Sequence, residues 1–232
     1  MIVSIMQPYF FPYIGYFQLM VASDVFVGFD NVQYTRRGWV HRNRTLDARG
    51  NAVWHTLPVA AADHRLNIRE RKYVLTDGSV DRILRRLENA YRKAPHFQTN
   101  FPLIEEILRR PEPNVAEFNM GLLRLIADRL GIRKRFAFAS ELPDLECLSG
   151  EARVIAICER LGASRYVNPI GGRGLYHAAH FQARGVSLGF LETRIEPHPG
   201  QHPYLSIIHT LMTESDDAIA DLLARYSIVA AD

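Results

Sequence analysis

The chain has 232 residues, 47% of them apolar and 23% charged, with a formal net charge of +3. That is enough apolar chain to bury a full core, and too even a charge balance to mark a general nucleic-acid groove. Lys72, Lys93 and Lys134 are the only lysines, so the positive charge is carried by arginine, the cation suited to bidentate binding of carboxylate and phosphate.

In chain order, Ile2 to Met6 reads as a buried strand. It runs into Gln7-Pro8-Tyr9-Phe10-Phe11-Pro12-Tyr13-Ile14-Gly15-Tyr16-Phe17, a proline loop that opens a helix through Gln18, Leu19, Met20 and Val21. Two prolines fix this loop, and Gly15 lets the helix begin close to the strand or to a ligand. Asp24 to Phe29 reads as a second, parallel strand, ending at Asp30-Asn31-Val32-Gln33-Tyr34. Asn43 to Leu46 and Ala52 to Leu57 form a hairpin around Gly50, followed by an irregular stretch with a short strand at Leu66 to Ile68. Val80, Ile83, Leu84, Leu87 and Tyr91 form one helical stripe, and Phe101 to Arg109 is a second helix. A third runs from a cap at Asn114 to Leu130, with Gly131 at its end. Arg135 to Ala139 is a strand, Glu151 to Leu161 a helix closed by Gly162, and Arg165 to Val167 a strand. Leu175 to Ala183 is a helix, Val186 to Glu192 a strand, and Ser206 to Met212 and Ser215 to Tyr226 are closing helices. The alternation predicts one α/β domain over 1–232 with a Rossmann-like parallel sheet, a β-hairpin and a helical cluster being inserted at about 44–130.

Cys158 falls on an apolar helical face and Cys147 stands alone, so no disulfide framework is expected. The first residues lack a basic n-region, and no apolar run approaches the ~20 residues that span a bilayer. The expectation is a cytoplasmic protein without a membrane span or nucleic-acid partner.

Three constellations could carry chemistry. Gln7 ends the first strand and Asp30 the second, so parallel pairing would bring Gln7, Asp30, Asn31 and Gln33 to one crevice, with Asp30 the candidate proton acceptor. Arg42 and Arg44 alternate along an extended segment and so share a face, suited to a phosphate chain, with Trp39 and Asn43 beside them. Asn168-Pro169-Ile170-Gly171-Gly172-Arg173-Gly174 is a glycine loop between strand and helix that matches neither common nucleotide fingerprint. Tyr9, Pro12, Tyr13 and Gly15 complete the proline loop, and His96 stands in a polar loop. His177 and His180 are one helical turn apart, whereas Pro199 and Gly200 separate His198 from His202; no carboxylate is in sequence register with either pair, and no metal site is expected.

The proline loop, Asp24-Val25-Phe26-Val27, Asp30-Asn31-Val32-Gln33-Tyr34, Trp39, Arg42-Asn43-Arg44, Pro58, Tyr91-Arg92-Lys93-Ala94-Pro95-His96 and Leu205-Ser206-Ile207-Ile208 together resemble the WbqC-like protein family. The resemblance spans nearly the whole chain. Two positions depart from it: Asn31 and His209 stand where the family tends to have aspartate. The resemblance implies bacterial surface-polysaccharide (O-antigen, lipopolysaccharide) biosynthesis and attachment of glycine or a similar amino acid to an amino sugar. In that reading Gln7, Asp30 and Gln33 position the reacting groups; the loop, Asn31, Trp39, Arg42 to Arg44 and His96 hold the substrate. The implied partners are a nucleotide- or lipid-linked amino sugar and a small amino-acid donor; a homodimer stays open. The strand, proline loop and glycine at the helix start also resemble the HUP-type nucleotidyltransferases and pantothenate synthetase, which activate groups with ATP and magnesium. Tyr13 and Tyr16 stand where those enzymes carry histidines, and tyrosine donates hydrogen bonds without a positive charge. Cofactor use stays open, as do nucleotidyl transfer and plain sugar-nucleotide binding as alternatives to amide formation.

Overall fold

Strands β1 (Ile2–Met6) and β2 (Val25–Gly28) are apolar except at Ser4, whose buried hydroxyl pairs with that of Ser23, because both faces are covered. In the computed structural model, which describes residues 1–195 and 204–231, they pair in parallel from Val3 opposite Val25 to Met6 opposite Gly28. Helix α1 (Ile14–Val21) joins them. Side chains alternate between two cores: Val3, Ile5, Val25 and Val27 face one, Phe26 the other. The hairpin β3 (Arg42–Leu46) and β4 (Ala52–Thr56) follows, then helices α2 (Asp77–Tyr91), α3 (Phe97–Leu108) and α4 (Val115–Arg129). These elements are inserted between β2 and its parallel neighbour β5 (Arg135–Phe138). Helix α5 (Gly150–Leu161) then carries the chain back to β6 (Arg165–Pro169) on the opposite side of β1. Helix α6 (Ala178–Gln182) leads to β7 (Ser187–Thr193), parallel to β6. Helices α7 (Ile207–Thr213) and α8 (Asp216–Ala224) precede β8 (Tyr226–Ala230), which closes the edge antiparallel to β7.

The strand order is therefore β5-β2-β1-β6-β7-β8, and its direction of growth reverses between β1 and β6. Such a reversal opens a crevice beyond the carboxyl ends of the strands, where ligands of Rossmann-like sheets bind. Val154, Ile157, Cys158 and Phe181 from α5 and α6 cover one face. Tyr16 and Phe17 from α1 join α2, α3, α4 and α7 in the larger core on the other. Helix starts follow local chemistry: the Asn114 side chain accepts from the Ala116 and Glu117 amides, and Thr76, Ser206 and Ser215 cap α2, α7 and α8.

The structure corrects four local expectations. Leu66 to Ile68 is not a strand: Asn67 makes a single bridge to Gln33, and its amide donates to the Glu70 carboxylate at the start of a 3₁₀ turn over Ile68–Glu70. Helix α3 begins at Phe97 and keeps Pro102 within it, exposed. Residues Ile170–Leu175 form a 3₁₀ turn, which shortens α6 to five residues. The last helix stops at Ala224, and Tyr226–Ala230 form a sixth strand with Ile228 opposite Leu191. His198 and His202 lie outside the described residues. No described helix is long and apolar enough to cross a membrane.

Candidate functional site

The carboxyl rim of the sheet gathers the first constellation. The Phe29 amide donates to the Met6 carbonyl at 2.7 Å, so β1 and β2 stay paired to their ends. Gln7 and Asp30 thus leave neighbouring strands side by side, ~5 Å apart in the pairing direction. Gln7 is half-buried, and among the described residues nothing bonds its side-chain amide. Asp30 is 2% exposed. Its carboxylate accepts the Ser140 amide at 3.0 Å and the Ser140 hydroxyl at 2.5 Å, from the turn that follows β5. Burial raises the Asp30 pKa above the ordinary carboxylate value, and the two Ser140 donors offset part of that rise. Asn31 presents its carbonyl to Arg153 Nη1 of α5 at 2.6 Å, while its own Oδ1 is buried without a partner. Gln33 is exposed, and its Nε2 donates to the His64 carbonyl at 3.0 Å, turning it toward the 64–67 segment.

The proline loop is fixed by donors from four separate elements. A loop this buried must satisfy its carbonyls within the protein. Tyr16 Oη donates to the Gln7 carbonyl at 2.5 Å, and Asn119 Nδ2 of α4 to the Pro8 carbonyl at 2.8 Å. Asn43 Nδ2 of β3 donates to the Phe10 and Phe11 carbonyls at 3.1 and 2.9 Å. Ser206 Oγ also donates to the Phe11 carbonyl, at 2.7 Å, and the Ile207 amide to that of Pro12 at 2.9 Å. Phe11 sits at φ +41°, a strained angle for a non-glycine residue that this surround holds in place. Gly15 lets the Tyr13 ring fold over it: a Cβ there would lie 2.3 Å from that ring and displace it. Tyr9 packs on Tyr16 with centroids 5.6 Å apart, and burial raises the pKa of Tyr9, Tyr13 and Tyr16. All three phenols are neutral donors at physiological pH.

The hairpin carries the cationic face. Arg42 and Arg44 do share one side of β3, and both lie over Trp54, at 4.4 and 5.5 Å from the ring centroid. Trp54 is directly opposite Arg44 in the hairpin register and stacks at 5.2 Å from Trp39. Arg42 also donates to the Arg37 carbonyl at 2.7 Å and the Gly38 carbonyl at 3.3 Å. The face is thus a tryptophan pair with two guanidinium groups, one partly satisfied by its own loop. Asn43, between the two arginines, is buried and turned to the proline loop instead.

His96 lies apart from the Gln7–Asp30 rim. Its amide bonds the Met212 carbonyl, at the opposite end of α7 from the Ser206 that grips the proline loop. His209 Nδ1 is 3.0 Å from Tyr91 Oη, which also accepts the Leu46 amide, and burial lowers the His209 pKa. The glycine loop after β6 completes the rim: a Cβ on Gly172 would strike Asn168 Nδ2 at 1.9 Å, so the loop folds tightly over the strand end. Sequence reasoning missed Ser140, Asn119 and Trp54. The hairpin register could have indicated Trp54; nothing local marks Ser140, 110 positions from Asp30, or Asn119, whose partners Pro8, Val40 and Tyr73 are all distant in sequence.

The sequence profile of the WbqC-like protein family matches residues 7–221, nearly the whole chain and all three constellations. A relative from Mycobacterium tuberculosis, the uncharacterized protein Rv1507c, is 33% identical over 171 residues, which cover 72% of this chain and 71% of that protein. No solved structure matches the chain at significance. The extent of both matches shows that this chain belongs to the WbqC-like protein family.

Proposed function

We propose that the protein is a transferase of surface-polysaccharide biosynthesis that joins a small amino acid, glycine in the simplest case, to an amino sugar carried on a nucleotide or lipid. Family membership supports the polysaccharide context. The observation that carries the chemistry is the placement of Asp30, a buried carboxylate with a raised pKa, on the same rim as the uncommitted Gln7 amide. The amino sugar enters as an ammonium. Asp30 attracts it and takes one proton, which frees the nitrogen lone pair to attack the activated acyl carbon; the leaving group departs with the electron pair of its bond to that carbon and carries away the second N–H proton as the amide forms. The Gln7 amide and the phenols of Tyr9 and Tyr13 orient donor and sugar. Arg42 and Arg44 hold phosphate, and Trp39 and Trp54 beside them offer aromatic surface to a base or sugar ring.

The test supplies an activated glycyl donor, or glycine with ATP and magnesium, together with amino-sugar nucleotides, and follows amide product by mass spectrometry. Asp30→Asn keeps the shape and removes the charge, so turnover should fall by ~10²–10⁴-fold while the chain stays folded. Wild-type turnover in that variant would remove Asp30 from the reaction. A second reading has its own observation: both Asp30 oxygens are already engaged by Ser140, as in a purely structural turn. In that case the rim binds a sugar nucleotide without turning it over. Tight binding of sugar nucleotides, with no product from any donor, would favour this reading.

A further inference from the structure

Glu151, His177 and His180 meet on the outer side of the same rim, at the starts of α5 and α6. One ligand atom from each lies within 4.8 Å of the others. His177 Nδ1 is 3.4 Å from Glu151 Oε1, and His180 Nδ1 is 2.6 Å from Oε2. The carboxylate is the fixed member of the set. Its side chain is 18% exposed, and it also accepts the His177 amide at 2.5 Å. The imidazoles are 72% and 60% exposed, yet both turn their Nδ1 atoms inward to the carboxylate. Ordering two exposed side chains around one carboxylate costs conformational entropy and returns little in water. A cation shared by all three groups would supply the missing stabilisation.

We propose that these residues form a site for a borderline divalent transition metal, of which zinc is the representative. Two imidazoles and one carboxylate suit zinc, nickel or cobalt and are a poor set for magnesium or calcium, which prefer all-oxygen shells. Ligands bound at 2.0–2.1 Å in a tetrahedron stand ~3.3 Å apart. The separation of His177 Nδ1 from Glu151 Oε1 already matches that spacing; His180 Nδ1 sits on the other oxygen, Oε2, and its exposed ring swings to bring both imidazoles to a metal held by Oε1 alone. On binding, the Nδ1 proton of His180 relocates to Nε2, and the freed nitrogen lone pair takes the metal. Three protein ligands leave a fourth position open to water or to a ligand. The site is tied to the crevice through the chain itself: Tyr166 Oη donates to Asn168 Oδ1 at 3.1 Å and lies 3.4 Å from Tyr176 Oη, and Tyr176 immediately precedes His177. The inference does not depend on the transferase reading.

The untagged chain, stripped with a chelator, should take up one zinc ion per molecule in calorimetric titration. Cobalt should give the visible absorption of a tetrahedral ion. Losing an outer-shell partner costs a metal site ~10–100-fold in affinity, so removal of a ligand should cost at least that. Glu151→Gln and His180→Asn should each show such a loss. His180→Asn retains a donor toward Glu151, and a wild-type circular dichroism spectrum would separate lost ligation from lost folding. His198→Ala and His202→Ala should bind as the wild type does. The proposal is overturned by the absence of saturable one-to-one binding, by wild-type affinity in both ligand variants, or by loss confined to the His198 and His202 variants.

Discussion

Burial raises the Asp30 pKa, and Ser140 opposes that rise with two hydrogen bonds, one from the backbone and one from the hydroxyl. Donors to a carboxylate favour its ionised form, so removing one must raise its pKa. Ser140→Ala deletes the hydroxyl and leaves the amide bond in place. A reaction that needs Asp30 ionised should then show its acidic limb displaced to higher pH, with the plateau rate little changed. A pH–rate profile measured on both proteins checks this; superimposable acidic limbs would mean that the rate does not depend on Asp30 ionisation. The same residue shows what the sequence could and could not convey. Asp30 is visible as a polar residue ending an apolar strand. Its partner is not, because Ser140 arrives from a strand 110 positions later whose adjacency to β2 is a property of the folded sheet. Arg44 and Trp54 are the opposite case: a hairpin fixes its own register, so their contact was within reach of local reasoning.

At the scale of elements, the proline loop is a segment whose shape is set from outside. Asn43 and Ser206, both within motifs of the family resemblance, converge on one carbonyl, that of Phe11. Their placement explains why a motif at residues 42–44 and another at 205–208 accompany the loop at 7–17 although they are far from it in sequence. Asn43→Ala or Ser206→Ala alone leaves the Phe11 carbonyl with one donor, and the pair leaves it with none. A buried acceptor left unpaired costs about 1–3 kcal/mol. The double variant should therefore lose more stability than the two single losses combined, with a coupling of ~0.5–3 kcal/mol. Urea unfolding of the four proteins measures the coupling, and strict additivity would show that the two side chains do not share this acceptor. The elements legible in the sequence were those with their own period or cap: β1, β2, the hairpin, α2, α4 and α5. Strand β8 was not, because Leu222 and Leu223 of α8 extend a helical stripe toward Tyr226, and only pairing with β7 makes the segment extended. Residues 170–175 likewise lack a period, and in their 3₁₀ turn Gly172 lies close over the Asn168 side chain.

For the molecule as a whole, the hairpin and helical insertion have to stay docked on the sheet for the rim to exist, and that docking buries histidines. His41 packs against Tyr34 with ring centroids 5.5 Å apart, and His55 Nε2 lies 2.7 Å from Thr45 Oγ1. Both rings are under 10% exposed, and the Nδ1 atom of each is buried without a partner. Burial lowers both pKa values to about 4, with Arg42 and Arg36 adding to the effect at His41 and Arg86 at His55. The unfolded chain titrates these groups near the ordinary histidine value of ~6.5. Between that value and about 4 the unfolded state therefore binds protons that the folded state excludes. Their contribution to stability is complete above pH ~6.5 and is lost as the pH falls toward the folded values. For two such groups the loss is on the order of several kcal/mol, enough to unfold a domain of ordinary stability. The expected outcome is a melting temperature that is flat above neutrality and falls steeply through mild acid. His55→Gln should flatten that fall by about half, since it removes one of the two titrating rings while keeping a polar group near Thr45. Melting curves collected from pH 7.5 down to 4.5 decide it: an undiminished slope in the variant would place the acid sensitivity elsewhere in the fold.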